Sequence, residues 1–192
     1  MADGKPLAAW QTTKKSLVLE TPWFKIHKQR MRMPSGVELD YFVHASDDSV
    51  ICVCVDEAGN ILVERQYRVP VQKVSVDYPA GKVETIDASP QAAIARELRE
   101  EVGLTAASIK LLGVLDKDPG FSTTRMSVFL ARDIHSGASE QEATESIVPV
   151  FVSPATIVEM IKTGEMACTY CVSATCLAFT ELGLITLNAG QL

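Results

Sequence analysis

Three glutamates, Glu97, Glu100 and Glu101, fall within one short stretch that reads as a helix. Separations of three and four residues place them on a common helical face, where their repulsion costs a few tenths of a kcal/mol per pair, roughly. No lysine sits among them; Arg96, four residues before Glu100, can orient that side of the group. Clustered carboxylates can be nothing more than a solvated acidic face. They also form the oxygen-donor set that suits a hard cation, Mg²⁺ or Mn²⁺. The preceding segment, Tyr78-Pro79-Ala80-Gly81-Lys82, favours the second reading, because its tight turn offers a backbone carbonyl that could face the same helix.

The carrier of these carboxylates is well marked. Ser89 is a helix cap, Pro90 fits the first helical position and Gly103 can end the helix. Ile94, Leu98 and Val102, with Ala95, make the buried stripe. Upstream, residues 23–33 and 37–45 read as a hairpin around Pro34-Ser35-Gly36, and residues 49–55 and 61–66 as a second around 56–60. Residues 67–81 suggest short strands and loops. Strands follow at 109–115, 126–131 and 147–152, with a polar loop over 133–146. A second helix starts at Ser153-Pro154 and stops near Gly164, and a third spans about 168–182. Hairpins with interspersed helices argue for an α+β fold rather than a regular βαβ array.

From Arg96 to Leu104 the chain reads Arg-Glu-Leu-Arg-Glu-Glu-Val-Gly-Leu. With Gly81 in front, this resembles the Nudix signature G-x5-E-x7-R-E-U-x-E-E-x-G-U. One residue is inserted in the front half, so the first acidic position falls on Asp87 or Ala88. The resemblance implies a Nudix fold, an α/β/α sandwich with a mixed sheet, preceded by an N-terminal β-hairpin extension: residues 1–45 as the extension and 46–192 as the hydrolase domain. It implies Mg²⁺, with Mn²⁺ as a substitute, held by Glu97, Glu100, Glu101 and the Ala80 carbonyl, with Arg96 steadying the glutamates.

Further segments resemble the ADP-ribose pyrophosphatase branch. Glu64-Arg65-Gln66-Tyr67-Arg68 is similar to its strand ending in a phosphate-binding arginine, which implies Arg68 as the phosphate contact. Pro119-Gly120-Phe121-Ser122 resembles its loop near the sugar, and residues 161–165 its helix end. Pro22-Trp23-Phe24-Lys25-Ile26 resembles the strand that offers an aromatic ring to the base, Trp23 first and Phe24 second; plain core is the alternative for both. The branch's general base often lies on a loop outside the box, which here implies Glu140, Glu142 or Glu145. The branch implies hydrolysis of nucleoside diphosphate sugars, ADP-ribose to AMP and ribose 5-phosphate, by a homodimer. GDP-mannose hydrolysis and a non-catalytic ADP-ribose-sensing module are the alternatives.

Bulk properties fit this reading. The net charge is −6, from 24 acidic and 18 basic residues, with no basic run suited to nucleic acid. An acidic protein that handles diphosphates needs a local remedy for charge repulsion, and a divalent cation supplies one. Neither an N-terminal leader nor a membrane span is expected. With five cysteines, an odd count, the expected setting is a reducing cytoplasm. Cys168-Thr-Tyr-Cys171 has the CxxC form, but without a second pair, and with three scattered histidines, zinc has little support. Cys52 and Cys54 alternate in an apolar strand and read as core.

Overall fold

The computed structural model describes residues 8–141 and 146–185, and the chain divides into two compact units. The first contains the residues up to Asp47 together with Asp116–Thr124. Strands β1 (Gln11–Glu20), β2 (Lys25–Arg32) and β3 (Glu38–Ala45) form an antiparallel sheet in that order. The hairpin expected around Pro34-Ser35-Gly36 is present: Gly36 takes a φ of 85°, open to glycine at no steric cost, and its N–H donates to the Met33 carbonyl at 2.9 Å. Strand β1 was not foreseen. All ten of its residues are exposed, so no alternating burial marked it in the sequence. Residues 116–124 join this unit through the end of β3, where the His44 N–H donates to the Phe121 carbonyl at 2.9 Å.

The second unit has two sheets. One runs β10 (Ile147–Val152), β5 (Ile61–Arg68), β6 (Lys73–Asp77). The other runs β7 (Ala80–Lys82), β4 (Ser49–Cys54), β9 (Arg125–Ser136), β8 (Leu104–Asp116), with β4 and β9 parallel. The expected hairpin of residues 49–55 with 61–66 is therefore corrected. The chain does turn there, with the Asp56 N–H on the Asn60 carbonyl, but only a Val55–Ile61 bridge joins the two arms before β4 and β5 enter different sheets. Strand β4 and the first three residues of β5, Ile61–Val63, are buried on both faces, which suits central strands better than an isolated hairpin. The polar loop after β9 is also shorter than expected, since β9 continues to Ser136.

Side-chain alternation on β4 sorts the core into two layers. Val50, Cys52 and Cys54 pack with Ala93, Ile94, Leu98 and Val102 of helix α1 (Pro90–Val102). Ile51 and Val53 pack with Ile157 of α2 (Pro154–Thr163) and Cys171, Ala174, Ala178 and Phe179 of α3 (Thr169–Glu181). Helices thus cover both faces of a mixed sheet, the α/β/α arrangement within an α+β fold that the sequence implied. Cys52 and Cys54 are core residues, as read.

Helix α1 is held at both ends. Ser89 Oγ accepts from the Ala92 N–H at 3.1 Å and Pro90 occupies the first turn. At the other end Gly103 has a φ of 63°, and a Cβ there would lie 2.7 Å from the Gly137 carbonyl oxygen. Backbone packs there in place of a side chain. The Gly137 N–H donates to the Gly103 carbonyl at 2.6 Å, the Glu140 N–H to Glu100 O at 3.0 Å, and Gln141 Nε2 to Glu101 O at 2.8 Å. The last carbonyls of α1, which no helical N–H can reach, are thereby satisfied by the following loop.

Candidate active site

The apolar stripe of α1 fixes where its glutamates stand. With Ile94, Leu98 and Val102 buried, Arg96, Glu97, Glu100 and Glu101 are carried along the side that meets β7 and the segment leading to the helix. Glu97 lies directly against Gly81: a Cβ on that glycine would overlap the Glu97 carboxylate. Only a residue without a side chain lets the carboxylate come this close to the strand.

Glu101 is buried, and its Oε2 accepts from the Ala80 N–H at 3.1 Å. The ladder between β4 and β7 explains why that N–H is available. Cys52 N–H bonds to the Pro79 carbonyl at 3.0 Å and Ile51 stands opposite Ala80, so Ala80 occupies a non-hydrogen-bonded position of the antiparallel pair. Its N–H and C=O therefore both leave β7 on the edge away from β4, the edge where Glu101 lies. The Ala80 carbonyl is thus not used by the β4–β7 ladder.

Arg96 ties the group together. Its Nε and Nη2 donate to the two oxygens of Asp87 at 3.2 and 3.1 Å. Its Nη1 reaches Glu100 Oε2 at 2.8 Å and Glu97 Oε1 at 3.0 Å, and Nη2 also donates to the Lys82 carbonyl at 3.1 Å. Hydrogen bonding to Asp87 is the main reason the guanidinium holds its proton more tightly than usual. In return Arg96 keeps the Asp87 carboxyl below its ordinary value, against a smaller opposing effect of burial. Of the two positions onto which the inserted residue could shift the first acidic place, Asp87 is the one that grips Arg96. Its own geometry is set by the Glu84 N–H, which donates to Asp87 Oδ2 at 2.8 Å.

The donor set fits a hard divalent cation. Three carboxylates, Asp87, Glu97 and Glu100, share the Arg96 guanidinium, Glu101 accepts from the Ala80 N–H, and every one of these donor atoms is oxygen. Glu97, Glu100, Glu101 and the Ala80 carbonyl are the groups available to hold such an ion.

The remaining expected residues lie in two places. Arg68, at the end of β5, donates from Nε to Asp77 Oδ2 at 2.9 Å, a partner the sequence did not suggest. The Glu140 backbone is bonded to the end of α1, whereas Glu142 and Glu145 lie outside the described residues. In the first unit, Trp23 is 67% exposed, which removes the plain-core reading for that ring. Thr21 Oγ1 accepts from the N–H groups of Trp23 and Phe24 at 3.2 and 3.0 Å and fixes the turn that presents them. The Phe24 ring lies 5.3 Å from that of His44, which in turn stacks on Phe121 at 5.8 Å. Ser122 Oγ lies 3.1 Å from His44 Nδ1, and the Gly120 carbonyl accepts from Tyr41 at 3.4 Å. His44 was missed in the sequence; its position as the next-to-last residue of a strand preceding a polar turn was the only signal.

An α/β/α sandwich with a carboxylate-bearing helix set against a Pro-Ala-Gly strand edge defines a class of metal-assisted hydrolases. The NUDIX domain family model matches residues 45–167, and the chain belongs to that family. Members of the family generally need a divalent metal ion. Among relatives, an ADP-ribose pyrophosphatase of Mycobacterium tuberculosis is 37% identical over 108 residues, which are 56% of this chain and 52% of that protein. The chain thus spans about half the length of that relative. An ADP-ribose pyrophosphatase of Bacillus subtilis is 26% identical over 135 residues, 70% of this chain and 72% of that one. A solved structure described as an ADP compounds hydrolase superposes with a TM-score of 0.84 at 20% identity, covering 95% of this chain and all of the other, which shows the shared fold. No helix among the described residues is long and apolar enough to cross a membrane.

Proposed function

We propose that this protein hydrolyses the diphosphate bond of nucleoside diphosphate sugars, ADP-ribose to AMP and ribose 5-phosphate, with Mg²⁺ as its metal and Mn²⁺ as a substitute. The observation that supports the reading is Glu97 packed against Gly81 and Glu101 bonded to the Ala80 N–H, with Arg96 joining Glu97 and Glu100 and itself held by Asp87. The similarity to two proteins named ADP-ribose pyrophosphatase supports the choice of substrate.

A diphosphate repels an attacking hydroxide, and Mg²⁺ when bound neutralises that charge and promotes deprotonation of the nucleophilic water. Glu97, Glu100, Glu101 and the Ala80 carbonyl would hold it. Arg96 keeps Glu97 and Glu100 aimed at a common point and reduces their repulsion. Arg68 takes the phosphate, its guanidinium pre-set by Asp77. One of Glu140, Glu142 and Glu145 removes the proton from the attacking water as general base. Trp23, with Phe24, stacks on the base, and Gly120, Phe121 and Ser122 border the sugar.

We read the protein as a cytoplasmic homodimer in which residues 1–45 form the dimerising extension. Leu17, Val18 and Leu19 on the wholly exposed strand β1 supply an apolar surface for a second copy. A substrate panel of ADP-ribose, GDP-mannose, UDP-glucose, NADH, diadenosine polyphosphates and 8-oxo-dGTP, read by product chromatography with Mg²⁺ present, tests the assignment. Turnover of ADP-ribose above the rest is expected. Preference for GDP-mannose would move the substrate, and tight ADP-ribose binding without turnover would make the chain a sensor.

A further inference from the structure

A second group of reactive side chains lies apart from the glutamate cluster in sequence. Asp77, Cys168 and Cys171 each offer one atom to a common point, and those atoms lie within 4.8 Å of one another. The CxxC spacing was legible in the sequence; its third member, 94 residues before Cys171, was not. Cys168 is the N-cap residue of α3 and half-buried, whereas Cys171, in the first turn, is 1% exposed. The Cα atoms of residues three apart at a helix start are about 5 Å from each other, inside the roughly 4.4–6.8 Å that a disulfide spans. The register of α3 against the end of β6 is fixed independently. Tyr78 Oη and Thr175 Oγ1 lie 2.8 Å apart, and Thr175 donates to the Cys171 carbonyl at 2.8 Å, so Tyr78 is the donor to Thr175.

The two thiols are made unequal by where they sit. A hydrogen bond from Cys171, helped by the backbone N–H groups of Cys171 and Tyr170, lowers the Cys168 thiol to about 6 against the effect of partial burial. Holding that shared proton pushes the Cys171 thiol up, and burial and the charges of Cys168 and Asp77 add to it. The site therefore pairs a half-buried thiol that ionises more readily than usual with a buried thiol that holds its proton, the division of labour that dithiol chemistry needs. Cation binding fits less well. Asp77 Oδ2 already accepts from Arg68 at 2.9 Å and Oδ1 from Ser75 at 3.0 Å, so an ion would have to compete with a guanidinium for the only carboxylate.

We propose that Cys168 and Cys171 form a redox-active dithiol that low-molecular-weight disulfides oxidise, with Asp77 receiving the Cys171 proton. The Cys168 thiolate attacks one sulfur of the small disulfide, forming a mixed disulfide and expelling one thiolate, which takes a proton from water. Cys171 Sγ, 3.7 Å from Asp77 Oδ1, passes its proton to that carboxylate and attacks Cys168 Sγ. The Cys168–Cys171 bond forms and the second small thiolate leaves, protonated in turn as Asp77 returns its proton through solvent. Two thiols have lost two electrons and one small disulfide has gained them.

The experiment uses the full chain and reads mass, independently of any hydrolase activity. Reduced protein is mixed with excess oxidised glutathione, quenched in acid at intervals, alkylated and mapped by mass spectrometry. A Cys168–Cys171 disulfide is expected, reversed by reduced glutathione. Cys171→Ser should accumulate glutathione on Cys168, and Cys168→Ser should form no disulfide at this pair. Asp77→Asn should take up glutathione at the wild-type rate but resolve the adduct at least about tenfold more slowly. Absence of the glutathione adduct in folded Cys171→Ser would overturn the proposal. So would wild-type protein whose two thiols are protected by stoichiometric Zn²⁺ and never form the disulfide in its absence, since the pair would then be a metal site.

Discussion

Gly81→Ala isolates the contact on which the site's geometry depends. Gly81 is absent from the positive-φ positions, so alanine meets no backbone strain there. The added methyl would instead overlap the Glu97 carboxylate, whose farther oxygen, Oε2, would be 2.7 Å from the new Cβ. The nearer oxygen, Oε1, is the tighter contact, so restoring an ordinary separation of about 3.5–4.0 Å displaces it by roughly 1.5–2 Å. A misplacement of about 1 Å already costs about 10²-fold at a catalytic constellation. What must move is the end of a side chain, so the overpacking cost stays within about 1–3 kcal/mol. At about 2–4 °C per kcal/mol for a domain of this size, the melting temperature should fall by only several degrees. The assay is phosphate release from ADP-ribose with a coupled phosphatase, across a Mg²⁺ series, with a melt on the same preparation. We expect kcat/KM to fall by about 10²-fold with the fold retained. If Gly81→Ala keeps kcat/KM within threefold of wild type at every Mg²⁺ concentration, the claim that Glu97 must sit against Gly81 is wrong.

Four further outcomes are expected. EDTA should abolish turnover and Mg²⁺ restore it, whereas full turnover in chelator would remove the metal from the mechanism. Glu→Gln at one of Glu140, Glu142 or Glu145 should lower kcat by about 10²-fold or more with binding little changed; three near-normal variants would place the base elsewhere. Trp23→Ala should weaken ADP-ribose binding by roughly 5–150-fold, from about 1–3 kcal/mol of lost stacking, while ribose 5-phosphate binds as before. A mixed dimer with one active-site knockout and one Trp23→Ala chain shows which subunit the ring serves, and loss of both affinities would refute the stacking role. Because Arg96 depresses the Asp87 carboxyl, that pairing stabilises the fold above the ordinary carboxylate range and the contribution fades as pH falls through the lowered value. In metal-free buffer the melting gap between wild type and Asp87→Asn should therefore be widest near neutral pH and close in acid. A pH-independent gap would contradict it.

Much of this arrangement was legible because local rules and tertiary packing agree along α1. Ser89, Pro90 and Gly103 bound the helix, the Ile94–Leu98–Val102 stripe orients it, and the carboxylates are left where that stripe puts them. What escaped depends on partners distant in sequence. Strand β1 has no buried side chain to print a period on the sequence. Strands β4 and β5 share a turn yet pair elsewhere, and an apolar run on both faces does not say with whom. The grip of Asp87 on Arg96 was ambiguous because one inserted residue shifts the count, and only the folded turn before α1 decides which side chain faces the guanidinium. Asp77 gave no sign of serving both Arg68 and Cys171, since an acidic residue at a strand end is unremarkable until neighbouring strands and a helix close on it.

The bonds from Gly137, Glu140 and Gln141 to the last carbonyls of α1 have a consequence for local opening. A backbone amide exchanges its hydrogen with solvent only when its bond breaks, and bonds that share one structural unit tend to break together. The Gly137 and Glu140 amides are bonded to Gly103 and Glu100, so they can open only by leaving the helix that carries the glutamates. A cation that ties α1 to β7 should thus slow deuterium uptake at Gly137 and Glu140 in step with the end of α1. The root of the loop would register an ion that neither residue's amide touches.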